Sequence, residues 1–128
     1  MFMRTALGIA VLGAAGSLCR WLLAAAIQRQ VGATFPAGTF VVNVVGSLAM
    51  GLVMGLFIAR GSESSGLRVA LTAGFMGGFT TYSSFAMETV FLIERQSFLV
   101  AAANVVGTVA FCLAGCALGL FAGRAAVR

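Results

Sequence analysis

The sequence predicts an all-α integral membrane protein whose helices cross the bilayer four times. Three observations lead to this fold class: 61% of the 128 residues are hydrophobic, only 9% are charged, and the apolar residues fall into four long runs. Soluble domains carry roughly 25% charged residues, so this chain lacks the charge needed to cover a surface in water. Scarcity of charge is expected where the surroundings are hydrocarbon, because charges are costly there.

The four apolar runs are separated by short polar interruptions and form a single domain, residues 1–128. They cover about residues 5–27, 38–59, 67–93 and 98–122. Each reaches the roughly 20 residues that a helix needs to cross the hydrocarbon, whereas strands of a membrane barrel are about half that length and alternate in polarity. The connections are a few residues long, so neighbouring spans are expected to be antiparallel.

Eight of the eleven charged residues are arginines and three are glutamates, giving a net charge of +5. The arginines form no basic patch, which argues against nucleic acid as a partner and favours positions beside the lipid phosphates. Arginines are more numerous on the side of the two termini than on the other, which leans weakly towards cytoplasmic termini. A weak bias also favours insertion in both orientations. The first set is Arg4, Arg60, Arg68, Arg124 and Arg128, and the second is Arg29 and Arg95.

Small residues recur every four positions in the second and fourth spans. This spacing lets helix backbones approach closely in lipid, and we expect most of these contacts to lie within one subunit. Four thin helices leave little room for a pore among themselves, which favours a pore between subunits and hence an oligomer. The two series are Ser47, Gly51 and Gly55, and Gly115, Gly119 and Gly123.

The same two spans carry polar side chains one helical turn apart. Thr39, Asn43 and Ser47 lie on one face of the second span, and Asn104 and Thr108 on one face of the fourth. Polar groups at membrane depth need partners. The stripes therefore either form interhelical hydrogen bonds, as in any membrane bundle, or line a polar path.

The third span contains a sequence that disfavours a continuous helix. Paired glycines lower helix stability, and the β-branched and hydroxyl residues that follow compete for backbone hydrogen bonds. We expect the helix to be broken near residues 77–80. Broken backbone at that depth must be buried in protein or line a wet cavity. Freed carbonyls there can bind a cation, and the N-terminus of the second half-helix favours an anion.

Arg20 and Glu88 lie well inside the predicted spans. Arg20 either extends to the interface as an anchor or lines an aqueous vestibule that attracts anions. Glu88 shares a helix face with Ser84 and Phe85, so we expect it to be paired, protonated or in a wet vestibule.

Three cysteines occur in apolar runs: Cys19, Cys112 and Cys116. The chain has no histidine and no metal-ligand spacing of its cysteines, so we expect buried packing roles for all three.

Three segments together resemble the Fluc (CrcB) family of bacterial fluoride channels. Residues 16–21 resemble the family's Gly-x-x-x-Arg-Trp, and residues 36–43 its Pro-x-Gly-Thr-x-x-x-Asn. Residues 77–85 resemble its Gly-Gly-Phe-Thr-Thr-Phe-Ser-Thr-Phe. The resemblance covers essentially the whole chain.

The resemblance implies an antiparallel, dual-topology homodimer in the bacterial inner membrane. Such a dimer encloses two fluoride pores and a central structural Na⁺, conducts fluoride passively and confers fluoride resistance. The implied Na⁺ ligands are the backbone carbonyls of Gly77 and Thr80, and Arg20 is the vestibule candidate. The expected pore residues are Thr39, Asn43, Tyr82, Ser83, Ser84, Phe85, Asn104 and Thr108.

Three positions depart from the family pattern. Tyr82 replaces a phenylalanine, Ser84 replaces the common threonine, and Asn104 stands where an aromatic residue or histidine is frequent. The expected chemistry is preserved, because amides and hydroxyls offer uncharged donors to a strongly hydrated anion. Ring edges carry the positive end of the aromatic quadrupole, and conduction requires binding that does not trap the ion.

Other functions of small four-helix membrane proteins fit the sequence less well. A multidrug antiporter needs an acid in the first span, and none is present there. An enzyme needs a nucleophile with a base, but the chain has neither histidine nor aspartate. A purely structural protein has no need of a broken third helix.

Overall fold

The computed structural model describes residues 2–62 and 64–127, and over these residues its regular structure is helical. Glu63 lies outside the described residues, as does Arg128, one of the predicted flanking arginines. The helices of the described chain are α1 (Phe2–Val31), α2 (Ala37–Ala59), α3 (residues 66–79), α4 (Tyr82–Glu94) and α5 (Phe98–Ala125).

Helices α1, α2 and α5 are each long and apolar enough to cross a membrane. They correspond to the first, second and fourth predicted spans. Large apolar side chains cover the outside, such as Trp21, 66% exposed, and Leu99, 85% exposed. Polar side chains such as Asn43, Thr81 and Asn104 are buried. Apolar exterior and polar interior are the arrangement expected of a protein surrounded by lipid, where polar groups must find partners inside.

The third predicted span consists of α3 and α4. Helix α3 ends at Phe79 and α4 starts at Tyr82. The two residues between them, Thr80 (φ −84°, ψ 157°) and Thr81 (φ −148°, ψ 113°), are extended. The paired glycines, Gly77 and Gly78, are not where the helix is interrupted, because Gly77–Phe79 is helical. The helix restarts after Thr81 because the Thr81 Oγ1 accepts a hydrogen bond from the Ser84 N–H at 3.2 Å, satisfying a donor of the first turn.

The middle of α3, Ala70–Met76, is π-helical, which the sequence analysis does not predict. Helix α3 packs on α1 through glycines on both sides. A Cβ at Gly16 would lie 2.2 Å from the Phe75 carbonyl oxygen, and one at Gly78 would lie 2.4 Å from that of Gly13. No side chain fits at these positions, so α1 holds α3 by direct backbone contact.

Helices α2 and α5 pack along a second glycine seam. A Cβ at Gly51 would lie 2.1 Å from the Cys116 carbonyl oxygen, and one at Gly119 would lie 2.1 Å from that of Leu48. The prediction that these glycine series serve packing within one subunit is confirmed. The seam fixes the position of α2 against α5, because the two backbones are too close for a side chain at these glycines.

The connection between α1 and α2 is held by the side chain of Gln28. Its Nε2 donates to the carbonyls of Gly32 and Phe35, the latter at 2.9 Å, and its Oε1 accepts from the Gly38 N–H at 3.0 Å. Gly32 adopts φ 86°, a left-handed conformation suited to glycine, where α1 ends. The start of α2 is thereby fixed beside the last turns of α1.

Candidate functional site

The interrupted backbone between α3 and α4 is bound to α2 by one amide side chain. The Thr81 N–H donates to Asn43 Oδ1 at 2.7 Å, and Asn43 Nδ2 donates to the Thr81 carbonyl at 2.9 Å. Both residues are buried. A carboxamide carries two N–H donors, so Asn43 can hold this peptide and still offer a second N–H to another acceptor.

Hydroxyl groups surround the start of α4. The Thr81 Oγ1 lies 3.0 Å from the Ser84 Oγ and 3.4 Å from the Ser83 Oγ. Ser83 itself is exposed and Ser84 half-buried. The N-terminus of a helix carries partial positive charge, so these uncharged hydroxyls stand in a field that favours an anion.

The interruption also removes the usual donors from two backbone carbonyls. In a continuous α-helix, the Gly77 carbonyl would accept from the Thr81 N–H, and the Thr80 carbonyl from the Ser84 N–H. Those N–H groups bond instead to Asn43 Oδ1 and to Thr81 Oγ1. Hard oxygen donors of this kind suit a small cation. The residues predicted as Na⁺ ligands, Gly77 and Thr80, therefore fit that role chemically.

One cavity, here called the Arg20 cavity, lies between α1, α2 and α4 on the Gln28 side of the interruption. Its volume is about 460 Å³. It brings together the predicted vestibule arginine and two predicted pore residues. The polar residues that line it are Arg20, Gln28, Thr39, Thr81, Ser84 and Glu88.

A second cavity of about 400 Å³, here called the Phe85 cavity, lies between α2, α4 and α5. The rings of Tyr82 and Phe85 are 5.5 Å apart between centroids and inclined by 47°. Phe85 is buried, whereas Tyr82 is 81% exposed at the subunit surface. Asn43 and Thr108 also line this cavity. Thr81 lines both cavities, so both border the interrupted backbone.

Glu88 is partly satisfied. The Thr39 Oγ1 donates to its Oε1 at 2.7 Å, while its Oε2 is buried without a hydrogen-bond partner among the described residues. Glu88 lines the Arg20 cavity and a further cavity of about 250 Å³ that includes Arg95. Its carboxylate is thus placed between two cavities, in keeping with the expected vestibule position.

The polar stripe of α5 forms a chain of hydrogen bonds to α4 that ends at the Phe85 carbonyl. Asn104 is 1% exposed, and its Nδ2 donates to Thr89 Oγ1 at 3.0 Å. Thr108 donates to Asn104 Oδ1 at 3.4 Å, and Thr89 donates to the Phe85 carbonyl at 2.7 Å. These contacts connect α5 to the turn of α4 that carries Phe85.

Most predicted site residues line one of the two cavities, but three do not. Gly77, Ser83 and Asn104 are absent from both linings. Two residues of the site, Thr81 and Thr89, were not predicted from the sequence. Thr81 follows the paired glycines as a second consecutive threonine, and Thr89 lies one turn after Phe85. Neither threonine stood out by itself, and each was indicated only by the motif residues beside it.

These features define a class of protein: a helical membrane protein whose interrupted helix gathers uncharged donors, aromatic rings and freed carbonyls in a polar interior. The chain belongs to the CrcB family, because the family model described as "CrcB-like protein, Camphor Resistance (CrcB)" matches residues 7–120. This confirms the resemblance. The family is one of ion channels, so the prediction that the chain is not an enzyme is confirmed too.

Curated relatives match along almost their entire length. A protein of Geobacter sulfurreducens named "Fluoride-specific ion channel FluC" is 45% identical over 122 residues, covering 95% of this chain and 98% of the relative. A protein of Geotalea daltonii with the same name is 43% identical over 122 residues, with the same coverage. A third, of Pelobacter propionicus, is 39% identical over 126 residues, covering 98% of both chains.

Proposed function

We propose that this protein is a fluoride-selective channel that lets fluoride leave the cell passively across the bacterial inner membrane. The observation that carries the proposal is that both cavities border Thr81 at the interrupted backbone. Uncharged donors and aromatic rings surround that point, as a strongly hydrated small anion requires. The names of the relatives agree with this function.

The path we propose begins in the Arg20 cavity, where the guanidinium attracts anions. Fluoride then exchanges water for the donors near Thr81, Ser84 and Asn43. It continues past the edges of the Phe85 and Tyr82 rings, which carry partial positive charge. Neither fixed cations nor metal ions are required in the narrow part, which favours passage over trapping.

A second copy of the chain, inserted in the opposite orientation, is proposed to complete two such pores. Tyr82 is 81% exposed and Gly77 is exposed on the same subunit. A tyrosine hydroxyl and a backbone carbonyl without its helical donor are poorly matched to lipid. Covering this surface with a partner subunit would remove that cost, and the weak arginine bias permits both orientations.

A sodium ion is proposed to lie at the centre of this dimer. The Gly77 and Thr80 carbonyls, whose usual helical donors are engaged elsewhere, would hold it. When bound, the ion supplies positive charge that compensates the carbonyl dipoles. The chain's own contribution is to keep those carbonyls without their usual helical donors, through the bonds of Asn43 and Thr81.

Fluoride efflux from liposomes that contain the purified protein tests the function. We expect passive fluoride efflux down its gradient and far slower chloride efflux under matched conditions. Protein-free liposomes are the control. Equal rates for the two anions, or fluoride movement that requires a proton gradient, would contradict the proposal.

A further inference from the structure

Two residues with thiols and one with a thioether line the Phe85 cavity. Cys112 and Cys116 on α5 and Met50 on α2 all line it. The prediction of a buried packing role is wrong for Cys19, which is exposed on α1, and the other two cysteines are half-buried beside the cavity. The paired cysteines are therefore candidates for a chemical role that Cys19 does not share.

The sequence was not expected to hold a metal site at these cysteines, but two thiols on one helix face suit chelation of a single ion. Residues four apart lie on the same face of a helix, with roughly 5–6 Å between their Cβ atoms. Two thiolates at this separation can approach a single metal ion from one helix. Neither thiol is consumed by a disulfide in the structure.

The glycine seam fixes the helix that carries Met50 against the helix that carries the two cysteines. The Cys116 carbonyl packs against Gly51, where a Cβ would lie 2.1 Å from its oxygen. Met50 is the next residue on α2, so the relative position of Met50 and Cys116 is fixed by backbone contact. The sulfur ligands thus come from two helices that cannot slide apart without breaking the seam.

The surroundings select a soft metal ion. Among the described residues that line the cavity, none is aspartate, glutamate or histidine. Thiolate and thioether ligands favour ions such as Cu⁺, whereas hard cations prefer oxygen. The predicted Na⁺ ligands, by contrast, are carbonyl oxygens.

We propose that Cys112 and Cys116, assisted by Met50, form a binding site for a soft, thiophilic metal cation. A cation bound there obstructs fluoride, because the same cavity is lined by Tyr82 and Phe85. In the binding step two S–H bonds break, two sulfur–metal bonds form and two protons are released per ion. The obstruction rests on the proposed channel function, but the binding does not.

Metal retention tests the site directly, with Hg²⁺ as the probe. The background is Cys19→Ser, which removes the exposed thiol. The purified protein is treated with one Hg²⁺ per subunit in chloride-free buffer and washed with a competing monothiol. We expect each subunit to retain one Hg²⁺. Two thiols per subunit should then no longer react with a thiol reagent. Adding Cys112→Ser or Cys116→Ser should lower retention at least tenfold, because one thiolate cannot compete with the monothiol.

Cys116→Ala provides a second variant in case serine disturbs the packing near Gly51. The site would be overturned if the protein with both Cys112 and Cys116 retained no more Hg²⁺ than the variants with only one of them.

Efflux tests the obstruction separately. In the Cys19→Ser protein, Hg²⁺ should reduce fluoride efflux at least tenfold relative to the untreated sample. In the variants lacking Cys112 or Cys116, the ratio of treated to untreated efflux should approach one. Retained Hg²⁺ with unchanged efflux would overturn the obstruction while leaving the site. Absence of efflux before Hg²⁺ is added would instead count against the channel function.

Discussion

Replacing Asn43 with aspartate is expected to lower fluoride efflux about tenfold or more. The aspartate can still accept from the Thr81 N–H, but it places a carboxylate oxygen against the Thr81 carbonyl, where Asn43 now donates at 2.9 Å. A lost buried hydrogen bond costs about 1–3 kcal/mol, and each 1.4 kcal/mol is about tenfold in rate. The added negative charge also repels fluoride. Efflux from liposomes measures the effect.

Asn43→Ala separates the effect of charge, because it removes both hydrogen bonds to Thr81 without adding a negative charge. If Asn43 donates to the passing ion and charge matters, the aspartate variant should be slower than the alanine variant. Both must first be shown to assemble like the unchanged protein, so that misfolding is not mistaken for lost conduction. Near-normal efflux through well-assembled Asn43→Asp protein would mean that Asn43 only ties α2 to the interrupted backbone.

Replacing Phe85 with isoleucine is expected to reduce fluoride efflux by about an order of magnitude, the upper end of what an aromatic contact contributes. Isoleucine keeps the position apolar but removes the ring edge beside Tyr82, now 5.5 Å away between centroids. Tyr82→Phe should change efflux little, because it keeps the ring and removes only a hydroxyl.

Phe121→Ile is the matched control for Phe85→Ile. Phe121 is 67% exposed on α5 and lines neither the Arg20 nor the Phe85 cavity. The same chemical change there should leave efflux nearly unaltered. Equal losses in the two variants would assign the effect to general packing and contradict a role for the Phe85 ring in the path.

The parts of the fold that depend on local composition and residue spacing were predicted from the sequence. The bounds of α2 and α5 follow from long apolar runs, and the seam through Gly51 and Gly119 follows from a four-residue repeat. Helix α1 extends to Val31, beyond the predicted residue 27, because Gln28 binds the following loop with its side chain instead of ending the helix. That hydrogen bond joins residues brought together by the fold, so spacing could not indicate it.

The interruption in the third span was harder to locate. Glycines have low helix propensity, which points to Gly77, but propensity is a weak prior that tertiary contacts override. The Gly78 backbone packs directly on α1 and stays helical. Thr81 leaves the helix because Asn43, 38 residues earlier, binds its peptide group. The sequence indicated Asn43 as a site residue, but neither Thr81 nor the pairing of the two.

The predicted roles of Asn104 and Thr108 show the same limit. A polar stripe fits both a pore lining and an interhelical bond. In the structure Asn104 is 1% exposed and bonds Thr89, whereas Thr108 also lines the Phe85 cavity. A contribution of Asn104 to the fluoride path stays a prediction.

The reversal potential of current through the protein in a planar bilayer tests the central claim most directly. Fluoride is set in a gradient in one direction, chloride in an equal gradient in the other, and the pH of one side is then varied. A passive, fluoride-selective channel must reverse at the fluoride equilibrium potential and stay there as the pH difference changes. Reversal at the chloride potential, or a reversal that moves with the proton gradient, would contradict the account.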